Sequence, residues 1–307
     1  MWFHSLLASW KSRLSRSRRP QPSRQGTFRP RLEVLEDRCV PSTLSVTSNL
    51  DNGASGTLRW AVADASTTPD IINIQSTQPI VLTQGQLLLS KSMTVEATAG
   101  KATINGDDLS RVFEVGTSAY VTLNALNITG GNAAAGINQP DATLGGGILN
   151  LGLKLTLTNC TLFGNSAAYN GGAIFTDGTL LVTNSTLSGN SAAVYGGAID
   201  GGGTIKVTNS TLSGNSASWG GAIAIGGLRF TLTVEECTFS GNSATSAGGA
   251  IWALIEYPDS SAWIESSAFS GNTPNSLWSG GSAFWGEGDT GLPPGAVVIP
   301  YYGFPGG

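Results

Sequence analysis

One phrase, repeated down the second half of the chain, restricts the possible folds more than any other feature. It reads CTLFGNSAAYNGGAI from Cys160, STLSGNSAAVYGGAI from Ser185, STLSGNSASWGGAI from Ser210 and CTFSGNSATSAGGAI from Cys237. A unit this short cannot bury its apolar positions alone, so the copies must stack and share one continuous core. The columns say how. Anchored on Asn159, Asn184, Asn209 and Glu236, the position four before holds Leu155, Leu180, Ile205 and Leu232. Two before are Leu157, Val182, Val207 and Val234, and three after are Leu162, Leu187, Leu212 and Phe239. Alternating apolar columns are what in-register parallel strands require.

A fifth, weaker coil follows in Ala262, Ile264 and Phe269. Paired glycines at 171–172, 196–197, 220–221 and 248–249 mark a corner, at intervals of 25, 24 and 28 residues. Such intervals suit a three-strand coil with turns. Asn165, Asn190, Asn215, Asn242 and Asn272 form a further column, whose amides are expected to hydrogen-bond along the stacking axis as a structural ladder. The predicted fold class is therefore all-β: a single-stranded right-handed parallel β-helix with a short N-terminal capping helix. That helix is read at Gly56–Ala65, where Leu58, Ala61, Val62 and Ala65 make one apolar stripe.

Four segments are expected: a basic leader and linker (1–43), a strand and capping helix (44–70), the β-helix (71–286) and a Gly/Pro-rich tail (287–307). Eight irregular strands between Ile71 and Ile128 read as early coils, and Ala133–Thr143 as a loop leaving the stack. Composition supports a folded, turn-rich β protein: 42 of 307 residues are Gly, 40% are apolar, and net charge is only −4.

Charge is unevenly spread. Nine of the 16 basic residues lie between Lys11 and Arg38, which leaves seven basic against 17 acidic residues elsewhere. The acidic body offers no face to extend a nucleic-acid footprint, so no nucleic-acid partner is expected. In the leader the apolar residues (Trp2, Phe3, Leu6, Leu7) precede the charges, the reverse of a secretory signal. The order fits an unconventional leader or a misassigned start. No stretch approaches the roughly 18 apolar residues of a membrane span, so no transmembrane segment is expected.

Three short stretches carry resemblances. Arg31–Ser42 (RLEVLEDRCVPS) resembles a motif near the N-termini of extracellular proteins of planctomycete bacteria, which implies export. Gly56–Ile74 resembles the SLREAI segment that precedes β-helices in bacterial surface proteins. The coils resemble the repeats of chlamydial polymorphic outer-membrane proteins. GGAI is complete at 171–174, 196–199, 220–223 and 248–251, and F-x-x-N at Phe239–Asn242 and Phe269–Asn272. This resemblance implies a right-handed β-helix at an outer-membrane or cell surface, often in adhesion. It also implies a C-terminal membrane barrel, and no long series of alternating amphipathic strands follows Gly286.

Chemistry is sparse. The only histidine is His4, outside the repeats. Cys160 and Cys237 share a column three coils apart, roughly 14 Å at strand spacing, too far for a disulfide. No clustered metal ligands or calcium-repeat signature appear, so no metal and no cofactor are expected. Asp177, Asp200, Glu235, Glu236, Glu256 and Asp259 read as solvated turn acids. The candidate ligand-binding residues are aromatic: Tyr169, Tyr195 and Trp219 before the glycine corner, and Trp252 after it. A stripe of rings, one per coil, could stack on sugars. Outward Thr156, Thr158, Thr183, Thr208 and Thr233 form a flat array, but Leu181, Lys206 and Glu235 interrupt it, which argues against ice binding. The expected function is a non-enzymatic surface or matrix binding module, whose partner is an extracellular polysaccharide or another surface protein. The alternative is a carbohydrate-active β-helix enzyme.

Overall fold

The computed structural model of the chain describes residues 42–66, 69–134, 142–254 and 260–273, with two short strands at 277–279 and 297–299. The leader, Cys39, Glu256 and Asp259 lie outside the described residues, as does most of the expected 133–143 loop. The rest is a parallel β-solenoid of about eight turns with one helix. Sheets of ten, eight, eight and five strands run along the stack. Every pairing is parallel except the last, where Val297–Ile299 lies antiparallel against Ala262–Ile264.

The inward columns are those read from the repeats. Leu155, Leu157, Leu162, Leu180, Val182 and Leu187 are fully buried, and so are their counterparts through Phe239. Toward the C-terminal end Phe replaces Leu in one column, and Phe239 and Phe269 stack with ring centroids 4.8 Å apart. Each such side chain contributes about 1.5–3 kcal/mol by leaving water.

A regular coil has four strand segments, not the three expected. Lys154–Thr158 and Thr161–Phe163 are followed by a two-residue strand, Ser166–Ala167, and then Ile174–Thr176. The extra ladder starts immediately after the buried Asn column. Asn190 shows why the chain turns there. Its Nδ2 donates to Leu162 O (3.0 Å) and to Asn215 Oδ1 (3.0 Å), while its backbone N–H donates to the same Oδ1 at 3.0 Å. Asn165, Asn215 and Asn242 repeat this pattern. The amide column therefore saturates backbone groups that a bend would otherwise leave unpaired in the core.

Two other bends are fixed by backbone conformation. Asn159, Asn184, Asn209, Glu236 and Ser266 share left-handed φ values of 46–55° between the first two sheets, a region Asn tolerates better than most residues. At the paired-glycine corner Gly171 has φ +66°, and a Cβ on Gly172 would overlap the carbonyl oxygens of Gly197 and Ser191 in the next coil. Only glycine fits there.

At the N-terminal end the helix Leu58–Asp64 caps the stack, with Leu58, Ala61 and Val62 buried and Thr57 capping its start. Arg59 clamps it by pairing with Asp51 (2.7 Å) and donating to Gly85 O and Gln86 O. Asp51 in turn accepts from the amides of Thr83 and Gln84. An amphipathic helix at this position covers core that an open solenoid end would expose.

Candidate functional site

The expected aromatic stripe is reorganised by register. Tyr195 pairs across coils with Asn170 on one side and Trp219 on the other. Tyr169 is thus one residue out of step with Tyr195, which in extended backbone turns it to a different face, and it stands alone at 50% exposure. Trp252 belongs to another strand, Ile251–Ala253, in the column Leu149–Phe175–Asp200–Ala224–Trp252. It is buried, not exposed as expected. Tyr195 stacks on it at 5.3 Å between centroids, and Trp219 tilts against it at 5.7 Å. The small side chains of Ala224 and Ala247 complete the cluster. Three rings therefore form one packed wall, and Tyr169 is separate.

A cleft of about 480 Å³ opens beside this wall. Phe175, Tyr195, Trp252, Leu228 and Leu254 supply its apolar lining, and Asp177 and Asp200 its charge. Four glycines, Gly201, Gly202, Gly226 and Gly227, form the rest.

Asp200 corrects the expectation of a solvated turn acid. It is only 8% exposed. It occupies the outward position directly after GGAI, where the other coils place Phe175, Ala224 and Trp252. Burial pushes its carboxyl up to about 7, and the charge of Asp177 adds to this. The Asn170 side chain and the Gly201 amide donate to it and offset part of the effect. The signal was present in the sequence as one acid interrupting an otherwise apolar column.

The remaining acids do not join it. Glu235 pairs with Lys206 of the adjacent coil (2.8 Å) on the face of the threonine array, and Glu236 is an exposed bend residue. A second cleft, of about 390 Å³, lies around Gln84–Gln86 and Arg111. Arg111 is committed to Leu144 O, Gly145 O and Gln86 Oε1, so it acts as a brace between coils. Cys160 and Cys237 are buried free thiols in the serine column, both pushed up by burial. Among the described residues no group of three or more His, Cys, Asp or Glu side chains is placed to hold a metal ion. No helix among them is long and apolar enough to cross a membrane.

Two stretches, 159–177 and 236–254, match the Chlamydia polymorphic membrane protein repeat. Each runs from a left-handed bend residue (Asn159 or Glu236), through a buried Asn and the glycine corner, into the following strand. The chain is thus a polymorphic-membrane-protein-like β-helix. No curated protein and no solved structure matches it.

Proposed function

We propose that this chain is an exported surface β-helix that works as a binding or adhesion module, held outside the cell or at its outer membrane. The observation that carries the reading is the repeat match on coils whose recurring elements are consumed by the scaffold. The ladder asparagines, corner glycines and core columns are all engaged in holding the coils together, which leaves the variable outward positions to meet a partner. The partner is an extracellular polysaccharide or another surface protein. Protease shaving of intact cells tests the location: repeat-derived peptides should be released before lysis, and peptides protected until lysis would sink the reading.

A carbohydrate-active enzyme is the second reading, and the Asp200–Asp177 pair in one cleft favours it. Two carboxyls lining one cleft, with that of Asp200 raised by burial, are the ingredients of glycoside hydrolysis. Mixing the full chain with a polysaccharide panel and assaying new reducing or unsaturated ends separates the two. Binding without new ends supports the module, and turnover abolished by Asp200→Asn supports the enzyme.

A further inference from the structure

The cleft beside the aromatic wall has a feature the fold does not require. Gly201 cannot carry a Cβ, because it would meet Thr176 O, and so its glycine is explained by packing. Gly202 is different. Its φ is ordinary for any residue, and a Cβ there would make only a normal contact, 3.5 Å from Gly226 O. At Gly227 a Cβ would meet nothing within 4 Å, but a φ of +100° already calls for glycine there, so Gly202 alone is unexplained by the fold. A side chain at Gly202 would stand in the lining of the cleft. Its absence helps keep free a volume of about 480 Å³, within the range of about 300–1,000 Å³ typical of small-ligand sites.

The lining fits one chemistry. Phe175 is a half-buried ring one coil before Asp200, Tyr195 is a half-buried ring in Asp200's own coil, and Trp252 stacks on Tyr195. Flat apolar rings beside a single buried carboxyl, with glycine backbone around them, suit a ligand having an apolar face and a rim of hydroxyls. A second carboxylate, Asp177, opposes an anionic ligand, and the chain outside residues 11–38 carries 17 acidic against seven basic residues. The third titratable side chain in the lining is Tyr195.

We propose that this cleft binds one uncharged pyranose unit of a neutral glycan, ring face toward Phe175 and Tyr195 and hydroxyls toward Asp200. The proposal rests on the binding-module reading and narrows it to a place and a ligand class. Asp200, with Asn170 donating to it, fixes the orientation of the sugar, and the rings supply the contact area. Uronic-acid polymers are excluded by charge.

Titration of the full chain with cellohexaose, mannohexaose, xylohexaose and hexagalacturonate, followed by tryptophan emission and calorimetry, tests this. At least one neutral hexasaccharide should bind saturably, with hexagalacturonate at least 10-fold weaker. Gly202→Leu should weaken binding at least 10-fold while leaving the circular dichroism spectrum unchanged. If that variant does not fold, Phe175→Ala serves instead, with a loss of about 3–10-fold expected from one ring contact. Saturable binding of none of the neutral probes overturns the proposal, as does a preference for hexagalacturonate. Binding untouched by both variants overturns it too, while leaving the module reading intact. A chain that binds neither glycans nor surface-protein extracts defeats both.

Discussion

Asn215→Ala is the sharpest probe of what holds the coils together. The side chain is fully buried. Its Nδ2 donates to Leu187 O (3.0 Å) and Asn242 Oδ1 (2.9 Å), and its Oδ1 accepts from the amide and side chain of Asn190 (both 3.0 Å). A buried hydrogen bond is worth about 1 kcal/mol net, and an orphaned buried partner costs about 1–3 kcal/mol. Alanine removes four such bonds and supplies no replacement, so the expected loss is about 3–6 kcal/mol. Solenoid stability is spread along the stack and unfolding need not be all-or-none, so the readout should be local. Amide hydrogen exchange at Asn190, whose N–H loses its acceptor, should accelerate by about 10²–10⁴-fold. Asn209→Ala is the control. Its side chain makes one exposed bond, to Asn184 Oδ1 at 2.7 Å, and the left-handed backbone adds about 1–2 kcal/mol. If Asn215→Ala costs no more than Asn209→Ala, the buried ladder is not what holds the bend, and the reasoning fails.

Three further outcomes are expected. Gly172→Ala should cost at least about 3 kcal/mol because the coils must part to admit the methyl, whereas Gly189→Ala, with open space at its Cβ, should lose only about 1–2 kcal/mol to its φ of +60°; equal urea midpoints would contradict this. Glu236→Asn should raise stability by about 0.5–1 kcal/mol by easing a φ of 53°, and a lowered melting temperature would argue otherwise. Stability should also depend on pH with a definite sign. The folded chain keeps a proton on Asp200 until about 7, whereas the unfolded chain releases it near 3.8, so stability falls as pH rises between those values, by at most about 4 kcal/mol. Asp70 works in the opposite direction: the Ser66 amide and Ser42 hold its carboxylate at about 2, so its contribution is lost as pH falls from about 4 toward 2. Urea midpoints across this range should peak in mild acid, and Asp200→Asn should flatten the neutral limb; an unchanged slope would show that Asp200 does not carry it.

The core was legible because inward columns repeat with strand parity, and parity alone decides the buried face of a parallel coil. Leu155, Leu157 and Leu162 could be placed from one copy and checked against three more. The capping helix was legible for the same reason, through the 3.6-residue spacing of its stripe. The site was harder. Whether Tyr169 joins Tyr195 depends on a one-residue offset before the glycine pair, which Asn170 introduces and which only cross-coil pairing reveals. Trp252 comes to rest under Tyr195, 57 residues earlier in the chain, with the small Ala224 as its register neighbour one coil before. Asp200 looked like a turn acid because acids near glycine usually are. Its position in the Phe175–Ala224–Trp252 column was readable, but its burial depends on the neighbouring coils that cover it.

All of this depends on each phrase building one coil and stacking in register on the next. Cysteine pairs on the outer surface test that directly, in a Cys39→Ser background with the buried thiols left in place. Thr186 and Thr211 are register partners in adjacent coils, and Thr211 pairs onward with Thr238. Adjacent strands lie about 4.8 Å apart, within disulfide reach, and strands two coils apart are near 9.6 Å, beyond it. Under mild oxidation Thr186→Cys/Thr211→Cys should cross-link within one chain, and Thr186→Cys/Thr238→Cys should not. Cross-linking of the distant pair without the adjacent one would contradict the stacking on which the scaffold and the cleft both depend.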